Sequence, residues 1–278
     1  MSDFVKRYRA LCQKNDEENY FFDRYFFRRF SIYFTILFIK LRVKANQATF
    51  LSLVASLLAC FFLAFNTPEM MLGAVFCIFA YNTLDHVDGE LARYYIGQGM
   101  QKPSLKGQFF DVLVHKYSTN LFLFFLGVSV YYLYGYYFAL FLGFVACIGM
   151  SAFPNLLASQ VVVQKVGGDN ETVYDRPVTD VLYLLEKKQE QVKKLHSSGI
   201  KQKVKKVITE LLFFPGCLLL IMLVILADIA VTVSGGGMSL FSYAVNFRLL
   251  FLFFITPVYI LNGIRQTVKW SKYFERIS

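Results

Sequence analysis

Between Tyr117 and Gln164 the chain runs for 48 residues without a single Asp, Glu, Lys, Arg or His. That length suffices for two helical membrane crossings at roughly 20 residues each. The remaining composition agrees: of 278 residues, 56% are apolar and 17% charged, where a soluble domain carries about 25% charged residues. A soluble enzyme and a disordered chain are both excluded. The formal net charge of +10 does not indicate nucleic acid, because the basic residues lie between hydrophobic spans instead of interleaving with aromatics on one surface. Their partner is an anionic membrane surface.

The spans follow from the apolar runs. Ala45 to Pro68 crosses once and ends in the polar turn Asn66-Thr67-Pro68-Glu69. Met70 to Leu84 returns the chain and runs directly into Asp85. The third and fourth crossings divide the uncharged stretch at the aromatic cluster Tyr131–Tyr137 around Gly135, of the kind found at membrane interfaces. The fifth covers about Val207 to Val233 and the sixth about Asn246 to Ile264, separated by Ser234-Gly235-Gly236-Gly237. The expectation is an all-α integral membrane protein with six transmembrane helices and both termini on one side.

Of the 29 Lys and Arg residues, 28 fall on that side and only Arg248 on the other. This bias assigns the basic side to the cytoplasm and the protein to the cell membrane. Tyr20 to Lys44 mixes apolar residues with Arg24, Arg28, Arg29, Lys40 and Arg42, which predicts an interfacial amphipathic helix with cations toward lipid phosphates. The organisation is then a cytoplasmic amino-terminal segment over 1–44, a catalytic membrane domain over 45–268 and a tail over 269–278. The membrane domain carries a basic insert at 165–206, whose second half, Lys187 to Lys206, reads as an amphipathic helix. The amino terminus lacks the short apolar core and small-residue exit of a cleavable signal. Cys12, Cys60, Cys77, Cys147 and Cys217 show no Cys-x-x-Cys pairing, and four lie in apolar stretches, so neither a disulfide nor a zinc site is expected.

Ionisable groups at a membrane edge are costly and mark functional sites by default. Here they gather in Asp85-His86-Val87-Asp88-Gly89-Glu90-Leu91-Ala92-Arg93 and in Gly107-Gln108-Phe109-Phe110-Asp111-Val112-Leu113-Val114-His115. Asp85 and Asp88 are three apart on a helix, and Asp111 and His115 four apart, so each pair shares a face. Antiparallel packing of the two helices would point all four groups into one pocket. Three carboxylates there repel one another unless a cation joins them, and hard oxygen ligands suit Mg²⁺ or Mn²⁺. Gly89 and Ala92 remove bulk, and Arg93 offers a bidentate phosphate contact. These parts fit a metal-assisted nucleotide-diphosphate site.

The pattern Asp-x-x-Asp-Gly-x-x-Ala-Arg followed by Gly-x-x-x-Asp-x-x-x resembles the signature of the CDP-alcohol phosphotransferases, also called CDP-alcohol phosphatidyltransferases, and Asn46-Gln47-Ala48-Thr49 is similar to that family's Asn-x-x-Thr entry. The resemblance covers about residues 20 to 268. It implies transfer of a phospho-alcohol group from a CDP-linked donor to a hydroxyl acceptor with release of CMP, in phospholipid or surface-glycolipid biosynthesis. It implies Asp85, Asp88 and Asp111 as ligands of two divalent ions, with Asn46, Thr49, Gly89, Ala92, Arg93, Ser104 and Gly107 around the donor, and a homodimer.

Two features depart from the family pattern. His115 stands where the family carries its last Asp, and an imidazole there serves either as general base or as a ligand that favours Mn²⁺. Thirteen residues separate Arg93 from Gly107, several more than the family loop. Donor identity stays open between CDP-diacylglycerol and a nucleotide-activated headgroup. A transporter or a catalytically inactive scaffold, with an intramembrane ion site, is the competing reading. His86, at an x position of the motif, reads as a structural or rim residue and His196 as exposed. Asp228 reads as a hydrogen-bond partner in packing, and Arg248 as a side chain snorkelling to the outer headgroups.

Overall fold

In a computed structural model, the protein is described over residues 3–13, 27–101, 105–151, 207–209, 211–213, 216–235 and 243–274, with short strand segments at 172–173, 176–177 and 238–240. Eight helices of ten residues or more are described: α1 (Asp3–Cys12), α2 (Arg28–Lys40), α3 (Ala45–Ala64), α4 (Pro68–Gly97), α5 (Leu105–Tyr134), α6 (Tyr137–Ser151), α7 (Gly216–Val233) and α8 (Phe247–Phe274). Two minimal antiparallel ladders, Thr172–Val173 with Arg176–Pro177 and Met238–Leu240 with Tyr243–Val245, complete the described elements. This is an all-α membrane protein.

Five helices are long and apolar enough to cross a bilayer: α3, α4, α7, and the segments Phe109–Tyr134 of α5 and Phe247–Arg265 of α8. The expected fourth crossing corresponds to α6, a shorter apolar helix. The expected turns are present. Thr67 caps α4 by accepting from the Met70 N–H, and Pro68 occupies the first turn, where its missing N–H costs nothing. Gly135, at φ +72°, links α5 to α6, a left-handed conformation that glycine adopts without a Cβ penalty. The basic insert from Lys187 to Lys206 lies outside the described residues.

Three helices are longer than a bilayer crossing needs. The motif continues the second span as expected: α4 is one 30-residue helix carrying it to Gly97. α5 is also 30 residues, so each measures ~45 Å against a hydrocarbon core of ~30 Å. α8 continues through Pro257 to Phe274, taking in residues expected to begin a tail. α1 has no counterpart among the expected elements; it packs on α2 and α4.

The core is built where α4 packs against α3 and α7, α5 against α3 and α6, and α6 against α8. It buries Leu63, Ile78, Tyr81, Phe122, Leu126, Ile221 and Tyr259, among others. Without a hydrophobic drive between helices in lipid, close backbone approach through small residues holds such pairs together. α5 and α6 show it: a Cβ on Gly127 would stand 2.5 Å from the Ala139 carbonyl oxygen. α2 turns into α3 through Arg42, a non-glycine residue at φ 57°. The Val43 N–H then reaches back to the Phe38 carbonyl at 2.9 Å, closing the end of α2.

α2 is amphipathic as expected, but its buried face corrects one detail. Arg28 is buried with Ser31, Ile32, Thr35 and Ile36, and α2 packs on α4, so this arginine does not point to lipid phosphates. Arg248 is likewise not a snorkelling side chain. It is 2% exposed and donates from Nε to Asp228 Oδ2 at 2.6 Å, and from Nη1 to Asn66 Oδ1 at 2.7 Å and to Ser129 Oγ. Asp228 on the preceding helix, with Asn66 and Ser129 from earlier in the chain, gives the guanidinium acceptors inside the bundle, so it need not seek headgroups. Asp228 is the packing partner its isolation suggested, and its carboxylate also accepts from the Phe247 and Arg248 N–H groups at the start of α8.

Candidate active site

Helix periodicity decides which acids meet. Asp111 and His115, one turn apart on α5, face Asp85 on α4. His115 Nε2 lies 2.6 Å from Asp85 Oδ1 and 3.2 Å from Asp111 Oδ1. The three residues offer ligand atoms that all fall within 4.8 Å of one another. Asp88, three residues after Asp85, is turned by about 60° around the helix axis. It faces α3 instead, where Thr49 Oγ1 donates to its Oδ2 at 2.6 Å. Three of the four expected groups therefore converge, and the fourth is held at their side by Thr49.

A further side chain belongs to this cluster. Tyr81 lies one turn before Asp85 and is fully buried, with its hydroxyl 3.4 Å from His115 Nδ1 and its ring edge-on to Phe122. Sequence reasoning passed over it, although its spacing of four from Asp85 was a signal: the same stripe of α4 carries both. With Tyr81 at Nδ1 and the carboxylates at Nε2, the imidazole is fixed at both nitrogens.

The expected donor-side residues are distributed as follows. Gly89 is partly covered by the Arg93 guanidinium, whose Nη1 lies 3.4 Å from the point where a Cβ would stand. Arg93 Nε donates to the Cys12 carbonyl at the end of α1. Ala92 packs with Ala45, Ala48, Val87 and Leu91. Asn46 is exposed on the first turn of α3, and Gly107 is half-buried near the start of α5. Ser104 lies outside the described residues. His86 faces Phe27, ring to ring at 6.0 Å, in keeping with a structural position. Burial, and secondarily Glu90, push the Cys12 thiol up to about 11, so it stays protonated and inert at neutral pH.

The family model of the CDP-alcohol phosphatidyltransferases matches residues 42–233. The chain belongs to that family. No curated protein and no solved structure matches it. The matched region of this CDP-alcohol phosphatidyltransferase contains every motif residue from Asn46 to His115. The family transfers a phospho-alcohol group from a CDP-alcohol to an acceptor and is in general dependent on divalent metal. The donor set suits such an ion: two carboxylate oxygens and one imidazole nitrogen, a mixture that Mg²⁺ accepts and Mn²⁺ favours. Asp111 Oδ1 is buried, with the His115 ring nitrogen 3.2 Å away, and two carboxylates gathered on one imidazole leave room in the charge balance for a cation.

Proposed function

We propose that this protein is a divalent-metal-dependent CDP-alcohol phosphotransferase in which His115 is the general base. The reading rests on one observation, the convergence of Asp85, Asp111 and His115 at the junction of α4 and α5. Asp85, Asp111 and, through a modest rotation, Asp88 would hold the metal, with Thr49 orienting Asp88. A bound ion would offset the negative charge that grows on the pyrophosphate as CMP departs. Arg93 would face the same phosphates across the notch left by Gly89, with Ala92, Asn46 and Gly107, and by the family resemblance Ser104, contributing to donor binding.

His115 Nε2 takes the proton of the acceptor hydroxyl as that oxygen attacks the donor phosphorus in line with the CMP leaving group. In the tautomer that does this, Nδ1 carries the ring proton and points it to the Tyr81 oxygen. One ring nitrogen cannot face both a carboxylate and the hydroxyl, so a cation held by Asp85 and Asp111 would have to draw the Asp85 oxygen, 2.6 Å away, off Nε2 before that nitrogen takes the proton. The same proximity of Nε2 to two carboxylates favours a second reading, in which His115 is a metal ligand replacing the family's last Asp.

Transfer from a panel of CDP-linked donors, CDP-diacylglycerol and nucleotide-activated headgroups alike, tests the proposal by release of CMP. Chelation should abolish it and Mg²⁺ or Mn²⁺ restore it. His115→Ala should slow turnover by roughly 10²–10⁴-fold with little loss of donor affinity if His115 is the base. A raised metal requirement at unchanged saturated rate would make it a ligand, and full activity in excess chelator would end the metal mechanism. The charge bias supports a cytoplasmic face for the acids. Labelling a cysteine introduced at Ser234 from outside intact cells checks this, and exclusive labelling from inside would invert the orientation.

A further inference from the structure

Glu90 follows Gly89 in the motif but lies about 200° round α4 from Asp88, so it cannot reach the metal cluster. Its side chain is 1% exposed, and burying a carboxylate is costly unless its oxygens are matched. They are matched by two other helices. Oε1 accepts from Gln13 Nε2 at 2.8 Å and from Ser31 Oγ at 2.6 Å, and Oε2 accepts from Thr35 Oγ1 at 2.5 Å. Gln13 is itself fixed, donating to the Arg28 carbonyl at 2.9 Å and accepting from Arg9 Nε at 2.8 Å. One carboxylate thus fastens the end of α1 and the inner face of α2 to the motif helix.

The residue before Gln13 is Cys12, whose carbonyl holds Arg93 Nε. An arginine fixed through Nε keeps its two terminal nitrogens as a fork, and Nη1 and Nη2 are the atoms lying over Gly89. We infer that Glu90 and Gln13 form a latch that uses α1 to position Arg93 for the donor pyrophosphate. This deepens the proposed function and rests on its donor reading. Gln13 is a positioning residue, since it acts through Arg93. The amino-terminal helix, outside the family match that begins at residue 42, would in this way set the donor affinity of a motif residue.

The test uses the full-length protein in nanodiscs with Mn²⁺, titrated with CDP and, separately, with Mn²⁺ alone. Gln13→Glu sets a second carboxylate against Glu90 and should weaken CDP binding about tenfold while leaving Mn²⁺ affinity unchanged. The pair Gln13→Glu with Glu90→Gln should recover most of the loss. In an Arg93→Ala background the Gln13→Glu effect should vanish, because the two changes remove one interaction. Gln13→Ala, at the half-buried end of α1, is the gentler variant and should weaken CDP several-fold should the others unfold. Wild-type CDP affinity in Gln13→Ala or in folded Gln13→Glu, equal loss of Mn²⁺ binding, or an undiminished effect without Arg93 would each overturn the latch and leave the donor reading standing. A wild type that binds no CDP would overturn the donor reading and the latch with it.

Discussion

At the turn that joins α7 to α8, Asp228 is matched by an arginine and two backbone N–H groups, and Arg248 by Asp228, Asn66 and Ser129. At the other end of the same bundle Asp85 and Asp111 share a single imidazole, whose Nε2 lies 2.6 Å from one carboxylate and 3.2 Å from the other. Both clusters join consecutive helices and both lie in an apolar protein, yet one is electrostatically closed and the other is left with an excess of negative charge. A buried ion pair whose hydrogen bonds are complete holds a structure in register, whereas unmatched acids with a partly accessible histidine draw in a cation. The arrangement of partners, more than the identity of the charged residues, separates architecture from chemistry here.

The sharpest way to break this contrast is to neutralise one acid at the open end. Asp85→Asn or Asp111→Asn should lower turnover by about 10³-fold or more, since metal stabilisation of the reacting phosphate is worth several kcal/mol. Thermal unfolding should hardly change, because like charges there oppose one another. A large loss of stability with retained turnover would assign the open cluster to architecture.

The closed end should behave in the opposite way. Arg248→Met strands a buried carboxylate and should cost about 3–5 kcal/mol of stability, with turnover per folded molecule unchanged. Replacing the pair together, Arg248→Met with Asp228→Leu, should restore much of that loss in denaturation experiments. If the double variant is as unstable as the single one, the hydrogen bonds to Asn66, Ser129 and the α8 backbone matter more than the charge pairing.

The smallest effect sharpens the comparison within the open cluster. Tyr81→Phe removes one long hydrogen bond to His115 Nδ1 and should cost about 1 kcal/mol, seen as a turnover reduced several-fold. Donor KM should stay at its wild-type value. An unchanged rate would show that the carboxylates alone orient the imidazole.

Much of this could be read from the sequence because membrane helices obey two simple rules. Uncharged length marked the crossings, and the three- and four-residue spacings placed Asp111 and His115 on one stripe of α5. The same rules were silent where partners come from afar. Asp228 and Arg248 stood as two solitary charges on consecutive spans, and only the turn between α7 and α8 brings them into contact. Glu90 stands at an x position of the motif, and of its partners Ser31 and Thr35 belong to the segment Tyr20 to Lys44 expected to lie along lipid, while Gln13 lies before it. The division between Asp85 and Asp88 was lost for a finer reason: a spacing of three shares a face only to within about 60°, enough for two neighbouring helices to claim one residue each.

The unbroken course of α4 from Pro68 through the motif makes the helix a depth gauge. Asp85 lies seventeen residues after Pro68 on it, roughly 25 Å at 1.5 Å per residue. Natural bilayers range from about 27 to 33 Å in hydrocarbon thickness, so with its Pro68 end anchored at one surface the helix carries Asp85 to a fixed distance while the opposite surface moves with the lipid. In short-chain lipids the acids stand close to the water that delivers a nucleotide, and in long-chain lipids they sink among acyl tails. Anchored in that way, the helix would let bilayer thickness change access to the site without altering a contact inside it, which transfer rates in short-chain and long-chain lipid vesicles would read.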